Sequence, residues 1–162
     1  MKNVYYYETK IGLIGIAEKE DAITDIFFGE DDAPKDSGEM IMNETELIKT
    51  AAGQIDEFLN GTLKDFDLPL CTEGTEFQKS AWEALCTIPY GEVRSYKQMA
   101  EQVGNPKACR AIGMANNRNP IAIVIPCHRV IGSNGKLVGY GGGLHIKKQL
   151  LELEKRVLEN GR

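Results

Sequence analysis

A cysteine and a histidine, Cys127 and His128, stand next to each other between the apolar run AIVIP and Arg129. A cysteine attacks as its thiolate, and forming the thiolate needs a base or a positive charge nearby. Adjacent side chains on an extended chain point to opposite faces, so contact between this pair needs a bend or a bridging water. The pair is compatible with a nucleophilic thiol, although such a pair taken alone is more often structural.

The C-terminal segment supplies a third residue for this chemistry. A helical period over residues 146–158 places several apolar side chains on one broad face: Ile146, Leu150, Leu151, Leu153, Val157 and Leu158. Glu154 falls inside that face, where an ionised carboxylate needs a hydrogen-bonding partner. Because a carboxylate behind a histidine is the arrangement of catalytic triads, we predict a Cys127–His128–Glu154 triad; a surface carboxylate on a slightly rotated helix is the alternative. Lys147 lies on the same arc in the first turn, from which its side chain can reach outwards to solvent.

Length and composition indicate a globular protein with an uneven charge distribution. The 162 residues, 42% hydrophobic and 27% charged, suffice for one domain or two small ones. Residues 1–75 contain 6 Lys and Arg against 17 Asp and Glu, whereas residues 76–162 contain 13 against 7. The net charge of −5 argues against nucleic acid as a binding partner, whereas the basic second half argues for it. A plain segregation of charge between two solvated surfaces is the alternative.

The sequence lacks the signals of export, membrane insertion and metal binding. No run of about 18 apolar residues occurs, and the N-terminus has no apolar leader. A cytoplasmic protein without a membrane partner is therefore expected. The four cysteines form no CxxC pair and only two histidines are present, so we expect free thiols and no metal site.

The first half is predicted to be an α/β unit with an antiparallel sheet. NVYYYET, GLIGIAE and AITDIFFG are short β-prone runs, and the first two are joined by a turn at Lys10–Ile11. Residues 29–38 are acidic and rich in turn-forming residues, which predicts a loop. Helical spacing over residues 44–61 predicts a helix that ends at Asn60–Gly61. TLKDFDLPL is predicted as a last strand.

The second half is predicted to be mainly helical, after a boundary near Cys71–Thr75. Thr75 and Gln78 fit a capping box that opens a helix. The stretches SYKQMAEQVG and PKACRAIGMANN follow, joined at Gly104–Asn105 with a spacing that suits a helix-turn-helix and many other helix pairs. Together with the basic second half, the spacing favours a DNA-binding helix pair over a plain helical hairpin. The second helix carries mostly Ala and Gly around Arg110. That pattern suits close approach to DNA in a narrow groove, or packing of the alanines against protein.

A family resemblance rests on the run GNPKACRAIGMANNRNPIAIVIPCHRVIGSNGKLVGYGGGL and on LLELE after it. The run resembles the O6-alkylguanine-DNA alkyltransferases, single-turnover repair proteins also called methylated-DNA–protein-cysteine methyltransferases. The resemblance is dense from Thr75 to Glu154 and weak in the first half. It implies a ribonuclease H-like α/β domain over residues 1–75 that supports a mainly α domain over residues 76–162. In the second domain a winged helix-turn-helix would bind DNA beside the alkyl acceptor.

The resemblance also implies roles for individual residues. Cys127 matches the thiol that accepts the alkyl group, His128 the base that activates it through a water, and Glu154 the carboxylate that orients the imidazole. Asn119 matches an asparagine that braces the turn after the helix-turn-helix. Tyr96 matches a tyrosine that rotates the target phosphate and donates a proton towards the guanine ring. The resemblance also implies DNA contacts at Lys97, Asn105, Arg110 and Ser133, with Arg110 entering the base stack. It implies a guanine pocket formed by the carbonyl groups of Cys127 and Val130 and by Tyr140 and Gly141.

The implied activity is a direct and irreversible reversal of DNA damage that needs no cofactor. The alkyl group of O6-alkylguanine, or of O4-alkylthymine, in double-stranded DNA would move to Cys127 after the base rotates out of the duplex. The protein would bind the minor groove as a monomer, in the cytoplasm or in the nucleoid of a bacterium or archaeon. Ala122 and Gly141 differ from the residues that some members carry beside the pocket, which leaves the accepted alkyl size open.

Two other functions fit the same sequence. A non-catalytic sensor of alkylated DNA would recruit other repair factors. In that class the reactive position is typically not cysteine, so Cys127 argues against it. A Cys–His–Glu hydrolase would turn over and would need no basic helix pair.

Overall fold

The computed structural model of the chain describes residues 1–35, 38–137, 139–140 and 142–160. These residues form two compact units. The first consists of Met1–Thr72 together with Pro120–Ala122, and the second of the described residues of Glu73–Asn119 and Ile123–Arg162. None of the helices described is long and apolar enough to cross a membrane.

Four strands form the sheet of the first unit, in the order β3–β2–β1–β4. They are β1 (Lys2–Thr9), β2 (Gly12–Lys19), β3 (Ala22–Phe28) and β4 (Met40–Met42). The three predicted strands pair antiparallel through tight turns, whereas the short β4 pairs parallel with β1 and has no clear signal in the sequence. One turn of 3₁₀ helix, Glu30–Asp32, lies within the predicted acidic loop.

The helix α1 (Glu46–Leu59) completes the first unit. Thr45 caps it by accepting a hydrogen bond from the Ile48 amide. Four of the five apolar residues at helical spacing are fully buried, namely Ile48, Ala51, Ile55 and Phe58, and Leu47 is half-buried. The predicted α/β unit with an antiparallel sheet is thereby confirmed.

The strand predicted over residues 62–70 is wrong. Only Leu70 pairs with the sheet, in a single parallel bridge to Ile23. The side chain of Gln54 accepts a hydrogen bond from the Asp67 amide (2.9 Å) and donates to the Asp67 carbonyl (3.0 Å). Pro69 has no N–H to donate. A strand ladder cannot extend where the main-chain groups already have other partners or lack a donor.

The second unit is mainly helical, as predicted. Its elements are α2 (Glu76–Leu85), β5 (Arg94–Ser95), α3 (Tyr96–Gln102), α4 (Cys109–Asn117), β6 (Val130–Ile131) and α5 (Leu144–Asn160). The predicted capping box of α2 is present, since the Thr75 hydroxyl accepts from the Gln78 amide (3.1 Å) and the Gln78 side chain accepts from the Thr75 amide (3.0 Å). A second capping box, between Ser95 and Gln98, opens α3.

The helices α3 and α4 form the predicted helix-turn-helix. Gly104 between them has a φ of +83°, in the left-handed region that favours glycine. The Trp82 indole of α2 donates to the Ala115 carbonyl oxygen (2.9 Å), which fixes the position of α4. Arg110, near the start of α4, remains exposed.

Candidate active site

Cys127 and His128 lie on one turn of 3₁₀ helix, Cys127–Arg129, rather than on an extended chain. The turn follows Pro126, whose carbonyl oxygen accepts a hydrogen bond from the Arg129 amide (3.0 Å). Successive side chains on such a helix are about 120° apart rather than opposite each other. All three residues of the turn are buried. The backbone therefore supplies the bend that the adjacent cysteine and histidine need.

Asn119 contacts the Cys127 sulfur directly. Its amide nitrogen, Nδ2, lies 3.1 Å from Sγ and 2.8 Å from the Ile125 carbonyl oxygen. The bond to Ile125 spans a turn in which Ile123 has a left-handed backbone (φ 73°), which β-branched residues rarely adopt. Burial raises the pKa of the Cys127 thiol, whereas the Asn119 hydrogen bond and the charge of Lys147 lower it. Because burial has the larger effect, the sulfur rests mainly as a thiol and needs a base to react.

The structure brings His128 and Glu154 together, with Nε2 and Oε2 2.6 Å apart. His128 is 0% exposed. Burial lowers the pKa of His128, and this effect outweighs the Glu154 carboxylate, which raises it. The imidazole is therefore neutral at neutral pH. Its Nε2 donates a hydrogen to the carboxylate, and its Nδ1 has the lone pair that can accept a proton.

Arg129 is a second partner of Glu154, and its guanidinium is cationic. Arg129 donates from Nε to Oε1 (2.9 Å) and from Nη2 to Oε2 (3.0 Å). Burial raises the pKa of the Glu154 carboxyl, but His128 and Arg129 together hold it below its usual value. Glu154 is thus a buried, ionised carboxylate shared between an imidazole and a guanidinium. No motif assigns Arg129 this place, and its only signal in the sequence is its position beside His128.

The turn at residues 88–91 completes the surroundings of Glu154. The Gly91 amide donates to Oε1 (2.9 Å), and the Arg129 guanidinium donates to the Ile88 carbonyl oxygen (2.8 Å). Gly91 has a φ of +81°, and a β-carbon at this position would collide with the side chain of Leu158. Glycine is therefore required where this turn approaches α5.

Lys147 is buried, so the expectation that it reaches solvent is wrong. Its side chain is 0% exposed, and Nζ lies 3.4 Å from the Gly139 carbonyl oxygen. Helical side chains lean towards the helix N-terminus, and here that direction leads towards Gly139 rather than to water. Burial lowers the pKa of Lys147 to about 8, and Cys127 opposes this shift. A buried cation near the sulfur favours the thiolate.

Lys147→Met is expected to stabilise the protein and to make Cys127 less reactive. Folding lowers the Lys147 pKa from 10.5 to about 8. Between these two pH values the unfolded chain binds more protons than the folded chain. The stability of the wild type therefore rises as the pH increases from 8 to 10.5. Below pH 8 the whole cost of burying the charge is present. The variant therefore gains about 1–3 kcal/mol in urea unfolding at neutral pH, and little in strong base. Alkylation of Cys127 by a small electrophile slows about tenfold at neutral pH.

Lys148→Met is the matched control for this experiment. Lys148 is the next residue of α5; its side chain is 67% exposed and pairs with Glu152 at 3.9 Å. Surface substitutions of this kind change stability by about 0.5 kcal/mol or less. Lower stability of Lys147→Met at neutral pH, or an unchanged alkylation rate, would contradict the charge assigned to Lys147.

Tyr96 is the first residue of α3 and lies near the sulfur. Burial raises the pKa of its hydroxyl, a hydrogen bond with Asn116 lowers it, and Cys127 raises it again. The interaction with Cys127 places Tyr96 close to the reactive group. Asn116, on α4, carries no signal in the sequence that connects it to Tyr96.

The residues predicted to line a guanine pocket have different surroundings. Val130, in β6, is fully buried. Burial raises the pKa of Tyr140 well above its usual value, and the charges of Cys127 and Glu154 add to the shift. Tyr140 therefore lies near Cys127 and Glu154. Gly141 falls outside the described residues.

The residues predicted to contact DNA are all exposed: Lys97 on α3, Asn105 in the turn, Arg110 on α4 and Ser133 after β6. By contrast, the predicted reactive residues lie together. Asn119 contacts Cys127, His128 contacts Glu154, and Cys127 and His128 are adjacent in the chain. The second unit thus combines a polar and basic surface with a reactive group inside.

The fold and the reactive group define a class of protein. One unit carries a helix-turn-helix with an exposed arginine on its second helix, and the same unit places a cysteine beside an amide donor and an imidazole–carboxylate pair. These are the features of a DNA-binding protein that reacts through a thiol. The chain belongs to the 6-O-methylguanine DNA methyltransferase family. Residues 4–72 match the ribonuclease-like domain of that family, and residues 76–156 match its DNA binding domain.

Individual relatives agree with this assignment. The methylated-DNA–protein-cysteine methyltransferase of Methanosarcina acetivorans is 49% identical over 153 residues, 93% of this chain and 98% of that protein. The protein of that name from Mycobacterium leprae is 61% identical over 112 residues, 69% of this chain and 68% of that protein. The crystal structure of Mycobacterium tuberculosis O6-methylguanine methyltransferase has a TM-score of 0.89 at 42% identity, covering 96% of this chain and 94% of that chain. A structure of Mycobacterium tuberculosis OGT in complex with DNA has a TM-score of 0.88 at the same identity and coverage. The family resemblance and the fold class predicted from the sequence are confirmed.

Proposed function

We propose that the protein repairs alkylated DNA by moving the alkyl group of O6-alkylguanine to its own Cys127. The observation that carries the proposal is the position of the sulfur. The sulfur lies 3.1 Å from the amide nitrogen of Asn119. The next residue in the chain, His128, forms a buried pair with Glu154. The names of the relatives state methylated DNA and a protein cysteine as the two reactants. Cys127 is the buried cysteine of the four in this chain.

The proposed reaction is a displacement at the alkyl carbon. The thiol proton passes through a water to Nδ1 of His128 while the sulfur bonds to the alkyl carbon and the bond from that carbon to the purine oxygen breaks. The purine keeps the electron pair of that bond and takes a proton from the Tyr96 hydroxyl. The proton held by His128 then returns to Tyr96 through solvent. Because the thioether has no leaving group, each chain reacts once and no cofactor is consumed.

The proposed partner is double-stranded DNA, bound through the minor groove by α4. The Ala and Gly residues of α4 permit close approach, and Arg110 fills the gap left by the rotated base. Rotation out of the stack costs a few kcal/mol, and less where the alkyl group already weakens pairing. O4-alkylthymine presents the same carbon–oxygen bond and is a second substrate.

Other residues serve this reaction from their places in the chain. Lys97, Asn105 and Ser133 contact the DNA backbone, and Val130 and Tyr140 line the guanine pocket. Residues 1–75 form a supporting domain, and residues 76–162 form the domain that binds DNA and accepts the alkyl group. The protein acts as a monomer, in the cytoplasm or nucleoid.

The proposal is tested by counting transferred methyl groups. The protein is mixed with an excess of duplex that contains O6-methylguanine, and its peptides are analysed by mass spectrometry. We expect one methyl group per chain, on Cys127, with unreacted duplex remaining. Tight binding of the duplex without transfer would indicate a sensor, and continued cleavage of an ester or amide would indicate a hydrolase. Either result overturns the proposal.

A further inference from the structure

Both oxygens of the Glu154 carboxylate accept hydrogen bonds from more than one donor. Oε1 accepts from Nε of Arg129 (2.9 Å) and from the Gly91 amide (2.9 Å). Oε2 accepts from Nε2 of His128 (2.6 Å) and from Nη2 of Arg129 (3.0 Å), and Nε of Arg129 also lies 3.1 Å from Oε2. A carboxylate has about four lone-pair sites. These bonds therefore use its capacity as an acceptor, and Arg129 supplies a large part of them.

Arg129 is itself held in place on its other sides. Its Nη1 donates to the Ile88 carbonyl oxygen (2.8 Å). Its Cζ atom lies 5.5 Å from the centroid of the Tyr90 ring, within the range of a cation–π contact. The side chain of Arg129 is 8% exposed. Arg129 is thus a buried cation in one fixed position, unlike the partners of a solvent-exposed ion pair.

The charge of Arg129 bears on how many protons His128 and Glu154 hold between them. With one proton, the carboxylate is ionised and cannot donate, so Nε2 of His128 carries the hydrogen and Nδ1 keeps its lone pair. With two protons, the pair is either an imidazolium beside a carboxylate or a neutral imidazole beside a carboxylic acid. The acid donates its hydrogen to Nε2, so the imidazole hydrogen lies on Nδ1. In both two-proton forms Nδ1 carries a hydrogen and cannot act as a base.

A cation in contact with the pair disfavours the second proton. An imidazolium adds a positive charge close to the buried guanidinium, where the low dielectric makes the repulsion strong. A carboxylic acid instead weakens the charge-assisted hydrogen bonds from Arg129 and leaves the guanidinium without its counter-charge. Arg129 therefore favours the one-proton form, in which Nδ1 of His128 can accept a proton.

Other ionisable groups interact with the same residues. Lys147 acts on His128 from α5, and its Nζ lies 3.4 Å from the Gly139 carbonyl oxygen. Tyr90 and Tyr140 interact with Glu154, and Cys86 interacts with Arg129. Burial raises the pKa of these two phenols and of this thiol, so all three are neutral at neutral pH. Because Arg129 bonds to both carboxylate oxygens, its removal should have the largest effect on the pair.

We propose that Arg129 is a positioning residue that keeps a second proton off the His128–Glu154 pair and so leaves Nδ1 of His128 able to accept the proton of the Cys127 thiol. The inference rests on the proposed function, in which His128 is the base. Arg129 acts through Glu154 rather than on the reacting atoms. The turn Cys127–Arg129 thereby carries the nucleophile, its base and the group that keeps the base unprotonated in three successive residues.

Arg129→Met tests the proposal by replacing the cation with an apolar side chain of similar length. The carboxylate then loses its counter-charge, and the pair takes up a second proton at neutral pH. We expect the single-turnover transfer rate from saturating O6-methylguanine duplex to fall on the order of 10- to 100-fold, as for the loss of a general base. Because the second proton leaves as the pH rises, the ratio of wild-type to variant rate should shrink from mildly acidic to mildly alkaline buffer. Duplex affinity, measured in a Cys127→Ala background, should not change.

The protonation of His128 can also be observed by NMR without any DNA. The chain has two histidines, and the other one, His145, is exposed on α5 and serves as an internal reference. With isotope-labelled histidine at neutral pH, Nδ1 of His128 should have the chemical shift of an unprotonated nitrogen in the wild type and of a protonated nitrogen in Arg129→Met. A residue that merely stabilises the fold would change the melting temperature and leave this signal unchanged.

Arg156→Met is the matched control, because it removes the same charge from an exposed position of α5, two residues after Glu154. Its transfer rate, pH dependence and His128 signal should be those of the wild type. If Arg129→Met does not fold, Arg129→Lys provides the test. An ammonium keeps the charge but cannot reproduce the planar fork of the guanidinium on both oxygens, so we expect partial protonation of Nδ1 and a transfer rate about three- to tenfold lower.

The outcomes separate this inference from the function on which it rests. An unprotonated Nδ1 in folded Arg129→Met, or a transfer rate equal to that of Arg156→Met, overturns the role of Arg129 while transfer to Cys127 stands. A wild-type signal or rate in Arg129→Lys does the same where that variant provides the test. The absence of any methyl group on Cys127 in the wild-type protein overturns both.

Discussion

Cys127→Ser is expected to abolish methyl transfer, with a loss of more than about 10⁴-fold in the single-turnover rate. A serine hydroxyl is far less acidic than a thiol, and its surroundings are already unfavourable to ionisation, because burial raises the pKa of Cys127 itself. Asn119 and Lys147 favour a thiolate at this position, but they do not compensate for the lower acidity of the hydroxyl that replaces the thiol. The measurement is mass spectrometry of peptides after incubation with excess lesion duplex.

The chain offers matched controls in its other cysteines. Cys71 and Cys86 are exposed, and Cys71→Ser and Cys86→Ser should each transfer one methyl group at the wild-type rate. Lesion-duplex affinity of Cys127→Ser should equal that of the wild type, since phosphate contacts at the surface supply most of it. A methyl group on another residue of Cys127→Ser would show that the acceptor is misassigned.

The fold could be predicted where its signals are local. Thr75 and Gln78 mark the start of α2 through a capping box formed within four residues. Tight turns separate the first three strands and fix their antiparallel pairing. The strand expected over residues 62–70 fails for the opposite reason, because the Gln54 side chain, thirteen residues away from Asp67, takes the main-chain groups that a ladder would use.

The site could be predicted in part, for the same reason. Adjacency and periodicity are enough to propose His128 and Glu154 as partners. Periodicity gives the face on which Lys147 lies but not what covers that face, so its burial could not be foreseen. Arg129 contacts a carboxylate 25 residues further along the chain, and no local pattern encodes that contact. The individual roles assigned to Asn119, Tyr96 and the DNA-contacting residues stay predictions until variants are measured.

Glu154→Gln is expected to destabilise the protein and to slow alkyl transfer. The substitution keeps the shape of the side chain but leaves the buried guanidinium of Arg129 without a counter-charge. Loss of one partner from a buried ion pair costs about 3–5 kcal/mol, which lowers the melting temperature of a chain of this size by about 6–20 °C. The glutamine amide can also pair with the His128 tautomer that carries its hydrogen on Nδ1, and in that tautomer Nδ1 cannot accept the thiol proton. The single-turnover rate therefore falls about 100-fold or more.

Glu152→Gln is the control, because it removes the same charge from an exposed position of α5. Its stability and transfer rate should remain near those of the wild type. A Glu154→Gln protein with wild-type stability would show that Arg129 does not depend on this carboxylate. A wild-type transfer rate would remove Glu154 from the reaction.

The dependence of stability on pH separates the carboxylate from the imidazole. Folding lowers the Glu154 pKa from its ordinary 4.5, so its contribution is present above that pH and is lost as the pH falls through the folded value. Folding also lowers the His128 pKa from 6.5, so the unfolded chain takes up a proton first and stability already declines below pH 6.5. The wild type should therefore lose stability in two stages during acid titration. In Glu154→Gln the stage below pH 4.5 should shrink while the decline below pH 6.5 persists, because His128 has lost the one neighbour that raises its pKa.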